Sequence, residues 1–297
     1  MKVSAGKLFR ELIGRDEVVI VPHAYDAFSA RLIEEAGFKA VLVGGASINA
    51  VMGYPDGEAT RTEFLGRVRE IIQAVNIPVR VDIETGFGSG SALDLMRTIQ
   101  ECERIGVAAV QCEDQVTAVK AQLTVAKADG GANRAHVVSR AEMLKKIEAA
   151  LEARQDENFV FIARTSAKSR HGLQEALERG KAYAEAGADM ISIQSLDTVD
   201  ELKQAVDFVG APLLVSALSI DKLALSTQDL KNIGIRMLSV GAPLRTVSWA
   251  LQALLEEIKR TGTDRGFADR MVSKESVARL VGTPARDALR ARFMDYE

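Results

Sequence analysis

Val79-Arg80-Val81-Asp82-Ile83-Glu84-Thr85-Gly86-Phe87-Gly88 is the stretch on which the reading of the fold turns. An apolar run interrupted at alternate positions and closed by a glycine-rich turn has the pattern of a strand that ends in a loop. Residues two apart on a strand share a face, so Arg80, Asp82 and Glu84 point one way and Val79, Val81 and Ile83 the other. The next apolar run, Ala109-Val110-Gln111-Cys112-Glu113-Asp114, also ends in carboxylates, and a helical stretch over 92–105 separates the two. As neighbouring parallel strands, these runs bring Asp82, Glu84 and Glu113 to one end of a sheet. Carboxylates that close repel one another unless a cation or protons neutralise them. Oxygen-only ligation suits Mg²⁺ or Mn²⁺, which makes Asp82, Glu84 and Glu113 candidate ligands for a metal-assisted reaction on a small anionic substrate.

Working outward, apolar runs recur at 18–22, 40–44, 79–84, 109–113, 160–164, 190–194, 213–217 and 237–241. Their continuous apolar character is what strands buried on both faces require. Amphipathic stretches at 29–36, 61–74, 92–105, 140–153, 174–186 and 246–260 lie between them. Gly37, Gly106, Gly187 and Gly234 stand just before the next strand, where glycine ends a helix in the left-handed conformation. Eight βα units in alternation predict an α/β fold, a (β/α)₈ TIM barrel, as a single domain over 1–297. A doubly wound open sheet is the alternative, because periodicity does not show closure. Two segments exceed a minimal barrel. Residues 115–138 lack apolar periodicity and read as an active-site lid loop. Residues 263–297 read as a C-terminal helical extension, with helices near 276–280 and 284–293, covering a barrel end or a neighbouring subunit.

Composition excludes several functions. The chain has 38 Lys+Arg against 41 Asp+Glu, a net charge of −3, and 5% aromatic residues. It therefore has neither the basic excess nor the stacking platforms of a nucleic-acid binder. No apolar run reaches the roughly 18 residues of a membrane span, and the first residues lack the apolar core of a signal peptide, so a cytoplasmic protein is expected. Cys102 and Cys112 have no metal-ligand spacing, and Cys112, of opposite parity to Glu113, should face the helices. His23, His136 and His171 are far apart in sequence and read as surface or packing residues. No lysine closes a strand, which disfavours a Schiff-base aldolase. The ends of the last two strands lack a glycine-rich phosphate cradle, which disfavours sugar phosphates.

Arg164, closing the fifth run, can hold a substrate carboxylate by a bidentate fork, or serve as counter-ion to Glu113. The run Val43-Gly44-Gly45-Ala46-Ser47 can turn backbone N–H groups toward an anion. Asp56, in Gly53-Tyr54-Pro55-Asp56, is either a loop acid near the metal or a turn residue. Asp82, Glu84 and Glu113 have a structural alternative too, as helix caps or partners of Arg80 and Arg164.

These residues resemble the isocitrate lyase and phosphoenolpyruvate mutase superfamily. The likeness runs over about 9–259 and rests on Val21-Pro22-His23-Ala24-Tyr25-Asp26-Ala27-Phe28-Ser29-Ala30, the turn ending at Asp56, the Asp82 segment, Glu113-Asp114-Gln115, Ile162-Ala163-Arg164-Thr165 and Ala186-Gly187-Ala188-Asp189. The resemblance implies a barrel that exchanges a C-terminal helix between subunits in a homo-dimer or tetramer. It also implies Mg²⁺ and cleavage or formation of C–C or P–C bonds in 2-oxo or 2-hydroxy acids through an enolate. Carried over, it makes Asp82 the direct metal ligand and Glu84 and Glu113 ligands through water. Asp56, Glu113 and Arg164 become the catalytic residues, and Val43, Gly44, Gly45, Asp82, Arg164 and Gln194 the substrate contacts. The departures are specific. The lid at 115–138 contains no cysteine and no Lys-Thr-Asn-Ser motif, Glu84 stands for a second aspartate, Val43 for a serine or threonine, and Gln194 for an acid. Arg80 places a charge where the barrel interior is normally aliphatic. The expectation is a Mg²⁺-dependent C–C lyase or decarboxylase of small 2-oxo or 2-hydroxy (di)carboxylates. The alternatives are a phosphonate P–C mutase or hydrolase and a catalytically altered binding protein.

Overall fold

In a computed structural model, which describes residues 4–116 and 136–294, the apolar runs form strands β1 (Val19–Ala24), β2 (Val41–Val43), β3 (Val79–Asp82), β4 (Ala109–Glu113), β5 (Val160–Thr165), β6 (Met190–Ile193), β7 (Leu213–Ser216) and β8 (Met237–Val240). All neighbours pair in parallel, and β8 pairs with β1, so the sheet closes into a barrel in sequence order. Closure decides against the open sheet. The register sets Asp82 beside Gln111, Glu113 beside Arg164, and Arg164 beside Ser192.

Strand parity splits the core in two. Val19, Val21, Leu42, Ala109, Val160, Ile162, Met190, Leu214 and Met237 fill the barrel, while Val43, Val81, Val110, Cys112, Ala163, Ile191 and Val215 face the helices. Both faces are dry, which is why the runs read as continuously apolar. A helix that the periodicity did not single out, Ala5–Ile13, closes the N-terminal end and lays the fully buried Phe9 onto the interior cluster. It approaches so closely that a Cβ on Gly6 would stand 2.7 Å from the carbonyl oxygen of Asn158.

Helices Ala27–Glu35, Arg61–Ala74, Ala92–Ile105 and Arg140–Ala153 follow β1 to β4 in the expected places. Thr60 and Glu63 form a reciprocal capping box at the start of Arg61–Ala74. Gly37, Gly106, Gly187 and Gly234 all have φ between 90° and 104°, the left-handed helix stops expected of them. Val199–Val209 and Thr227–Ile233 complete the outer layer between β6 and β8, as alternation requires, and Gly234 ends the second of them. The helix after β8, Ala242–Thr261, has no buried residue. Its Trp249 is 65% exposed, with Val247, Leu251 and Leu255 also open. The extension forms helices Lys274–Leu280 and Thr283–Phe293. It folds back on Ala27–Glu35, where Arg31 donates to the carbonyl of Leu280 at 2.9 Å and Arg279 pairs with Glu35. Of the expected lid at 115–138, the ends are described, with Gln115 and Val137 in an isolated antiparallel bridge, and the remainder lies outside the described residues. Among the described residues no helix is long and apolar enough to cross a membrane.

Candidate active site

Charged side chains gather inside the C-terminal mouth of the barrel, where βα loops of such barrels place their chemistry. Arg164 on β5 is the centre. Its Nη1 donates to Oδ2 of Asp82 at 2.8 Å, and its Nη2 pairs with Glu113 on the neighbouring strand. The Glu113 side chain is wholly buried and that of Asp82 is 14% exposed. Two carboxylates and one guanidinium in so little water hold each other in fixed positions. The Arg164 Nε is buried and has no hydrogen-bond partner among the described residues, a donor left over for a substrate oxygen.

A second layer lies beneath. Gln111 donates from Nε2 to Oδ2 of Asp82 at 2.9 Å. Arg80, 1% exposed, donates from Nη1 to Ser239 Oγ at 2.8 Å and from Nη2 to Gln111 Oε1. Burial, opposed by Asp82 and assisted by Arg164, lowers the Arg80 guanidinium to about 10, so it stays charged at neutral pH. His23 closes β1 on the same inward face, with its ring 3.5 Å from where a Cβ on Gly44 would stand and 3.7 Å from one on Gly241. Burial, with Arg80 nearby, lowers the His23 imidazole to about 4, and Asp82 only partly offsets this. His23 is thus a neutral member of the mouth rather than a surface residue. Its inward parity with Val21 was the available signal.

Glu84 does not continue the strand alternation. β3 ends at Asp82, and Glu84 takes a left-handed φ of 57°. Its backbone N–H donates to Asp82 Oδ1 at 3.1 Å, while its carboxylate turns toward Gly45 and leaves no room there for a Cβ. Asp82 and Glu113 therefore share one cation, and Glu84 lies to the side. Val43 is fully buried with the helix-side core, so its side chain does not reach the mouth and its backbone alone can serve a substrate. Gly44 and Gly45 stand at the mouth beside His23 and Glu84. Gln194, just past β6, donates to Ser192 Oγ at 3.4 Å rather than to the acidic cluster. Asp56 is exposed on a loop and lines, with Gly45, Asn49, Phe64, Glu84 and Phe87, a cavity of about 700 Å³ that meets the cluster through Glu84. Buried Asn49 straps that loop, donating to Gly45 O at 2.8 Å and accepting from the N–H groups of Glu58 and Ala59 at 3.0 and 2.6 Å.

Two supports were not read from the sequence. Buried Lys146 reaches from Arg140–Ala153 to the carbonyl of Thr85 at 2.7 Å and holds the turn after β3. Asp114, next to Glu113, is fully buried and accepts from Thr165 Oγ1, Ser166 N, Tyr183 Oη and Arg179 at 2.7, 3.0, 2.9 and 3.2 Å. It fixes the ends of β4 and β5 relative to each other. Cys112 is buried with the helix-side core as expected, Cys102 lies in the same core, and burial raises both thiols.

The donor set fits a hard divalent cation. Among the described residues no three His, Cys, Asp or Glu side chains form a ready cage. Mg²⁺, however, is commonly held by one or two carboxylates and several waters. Asp82, at the edge of the mouth and 14% exposed, is the carboxylate placed to meet that requirement.

Known proteins share this architecture. The family model for phosphoenolpyruvate phosphomutase matches residues 9–260. The 2,3-dimethylmalate lyase of Eubacterium barkeri is 35% identical over 281 residues, 92% of each chain. The 2-methylisocitrate lyase of Halalkalibacterium halodurans is 36% identical over 271 residues, 90% of this chain and 86% of that one. A phosphonopyruvate hydrolase solved with oxalate and Mg²⁺ superposes with a TM-score of 0.86 at 27% identity, over 99% of this chain and all of that one. Closed barrel, acidic strand ends and these matches agree, and the chain belongs to the phosphoenolpyruvate mutase and isocitrate lyase superfamily.

Proposed function

We propose that this protein is a Mg²⁺-dependent lyase that cleaves a carbon–carbon bond in a small 2-oxo or 2-hydroxy dicarboxylate, by retro-aldol cleavage or by decarboxylation. The observation that carries the reading is the Arg164 guanidinium shared by Asp82 and Glu113 at the barrel mouth. The lyase relatives, at 35% and 36% identity, favour C–C over P–C chemistry.

Asp82 would hold the cation directly, with Glu84 and Glu113 acting through its waters. Bound there, Mg²⁺ supplies Lewis-acid stabilisation of the negative charge that develops on a substrate oxygen as the bond breaks. Arg164 binds the substrate carboxylate through its free Nε and the edge of its fork, and the backbone at Gly44 and Gly45 orients the oxygens beside it. These contacts orient the scissile bond, and the buried surround strengthens each of them. Decarboxylation needs no protein acid at the departing carboxylate. The electron pair left on the α-carbon takes its proton from water, which fits a lid segment without cysteine. Asp56, on its Asn49-strapped loop, faces the cavity through which substrate enters.

The same reading makes the protein cytoplasmic and a dimer or tetramer that exchanges its C-terminal helix. The uncovered face of Ala242–Thr261 supports the exchange, and light scattering on the eluted protein tests it, with a monomer as the contrary result. The enzymatic reading is tested by incubating the protein with Mg²⁺ and a panel of 2-oxo and 2-hydroxy dicarboxylates, following release of pyruvate, oxalate or succinate. Phosphonopyruvate belongs in the panel, because turnover of that compound alone would favour P–C chemistry. A protein with no affinity for divalent cations and no turnover would instead be a binding protein on this fold.

A further inference from the structure

The barrel interior holds a cation that the proposed reaction does not use. Arg80 lies two residues before Asp82 on the inward face of β3 and is 1% exposed. Its Nε is buried without a hydrogen-bond partner among the described residues. A buried cation with an unsatisfied N–H is a costly way to fill space that an aliphatic side chain would fill without penalty. Packing alone does not account for it.

Its hydrogen bonds lead to the site. Nη2 occupies Oε1 of Gln111, which leaves the Gln111 amide only its Nε2 to turn toward Asp82, and that group donates to Oδ2 at 2.9 Å. The same oxygen receives Arg164 at 2.8 Å. Arg80 thus fixes the amide in the one orientation that presents a donor to the carboxylate, and its own charge stands behind that donor. Both effects stabilise negative charge on Asp82 and make its oxygens weaker donors to a cation.

We propose that Arg80 is a positioning residue and electrostatic counterweight: through Gln111 it sets the charge presented by Asp82, so that a divalent cation is held more weakly than it would be beside a neutral residue at position 80. The inference rests on the metal reading above. A structural role predicts that removing Arg80 loosens the site, whereas a counterweight predicts the opposite sign.

The test is Mg²⁺ titration of the metal-free full-length protein by calorimetry. Arg80→Met, similar in length and uncharged, is expected to bind Mg²⁺ about tenfold more tightly than the parent. Arg80→Lys, which keeps the charge, is expected to stay near the parent value. Unchanged or weaker binding by Arg80→Met overturns the proposal. Should Arg80→Met give no cooperative unfolding transition, Gln111→Leu decides. It removes the relay and leaves the charge, and is expected to tighten binding by about threefold, with unchanged or weaker binding overturning the proposal. If the parent binds no Mg²⁺ and Arg80→Met does, the counterweight is supported in its extreme form. If neither binds, the metal reading itself fails and the counterweight fails with it.

Discussion

Replacing Arg164 by methionine removes the guanidinium that Asp82 and Glu113 share, and the cost can be worked from the site. The Glu113 carboxylate is wholly buried and that of Asp82 nearly so, so neither regains full hydration when the guanidinium is lost. Removing one partner of a buried ion pair typically costs about 3–5 kcal/mol. Asp82 keeps its bonds from Gln111 at 2.9 Å and the Glu84 N–H at 3.1 Å, which places the expected loss at the lower end, ~3 kcal/mol. Arg164→Lys keeps the charge but lacks the planar fork that spans two strands, so about half that loss is expected. The assay is urea unfolding at pH 7 without divalent cations. Added Mg²⁺ should then stabilise Arg164→Met more than the parent, because the cation supplies the missing charge and binds the folded state alone. Activity should fall by about a hundredfold or more in both variants, since the substrate carboxylate loses a bidentate, charge-assisted partner. A loss of stability below ~1 kcal/mol in Arg164→Met, the value of an exposed pair, would refute the view that this guanidinium neutralises the cluster.

His23 carries a signature in acid. Its folded-state value of about 4 lies below the ordinary imidazole value of 6.5. The unfolded chain therefore takes up a proton between these values that the folded chain refuses. Stability is complete above pH 6.5, declines as pH falls toward 4, and the decline reaches roughly 3 kcal/mol. His23→Gln should flatten that part of the curve of unfolding free energy against pH, and an unchanged slope would show that the imidazole is not buried in the mouth. Gly6→Ala places a methyl 2.7 Å from the Asn158 carbonyl oxygen and should lower stability by about 1–3 kcal/mol, read in the same unfolding experiment. Asn49→Ala strands the N–H groups of Glu58 and Ala59, at an expected ~1–3 kcal/mol. It should also speed amide exchange across 54–60, whereas unaltered exchange there would mean that the strap is dispensable.

The barrel could be read from the sequence because its signals are local and repeated: eight runs apolar on both faces, with glycine stops such as Gly106 and Gly234 before the next strand. The helix Ala5–Ile13 escaped because its burial depends on a distant partner, the Asn158 backbone, that no local pattern announces. Parity placed Arg80, Asp82, Gln111 and Glu113 on the inward face and Cys112 on the outer one. It failed at Glu84, where the strand ends two residues early and a left-handed residue redirects the carboxylate toward Gly45. The same rule of alternation places Val43 with the helices, yet a motif reading by position had put it at the substrate. His23 and Lys146 show the opposite limit. A titratable residue's role depends on what surrounds it in space, and neither Gly44 and Gly241 around the imidazole nor the Thr85 carbonyl above the lysine is near in sequence.

Asp82 accepts from both Arg164 and Gln111 and is the side chain proposed to hold the cation. The most direct measurement is Mg²⁺-dependent release of pyruvate, oxalate or succinate from the 2-oxo and 2-hydroxy dicarboxylate panel, comparing the parent protein with Asp82→Ala. The account predicts turnover by the parent that disappears on chelation, and none by a folded Asp82→Ala that no longer binds Mg²⁺. Turnover that survives in Asp82→Ala would contradict it, because the acidic strand ends would then not be the site.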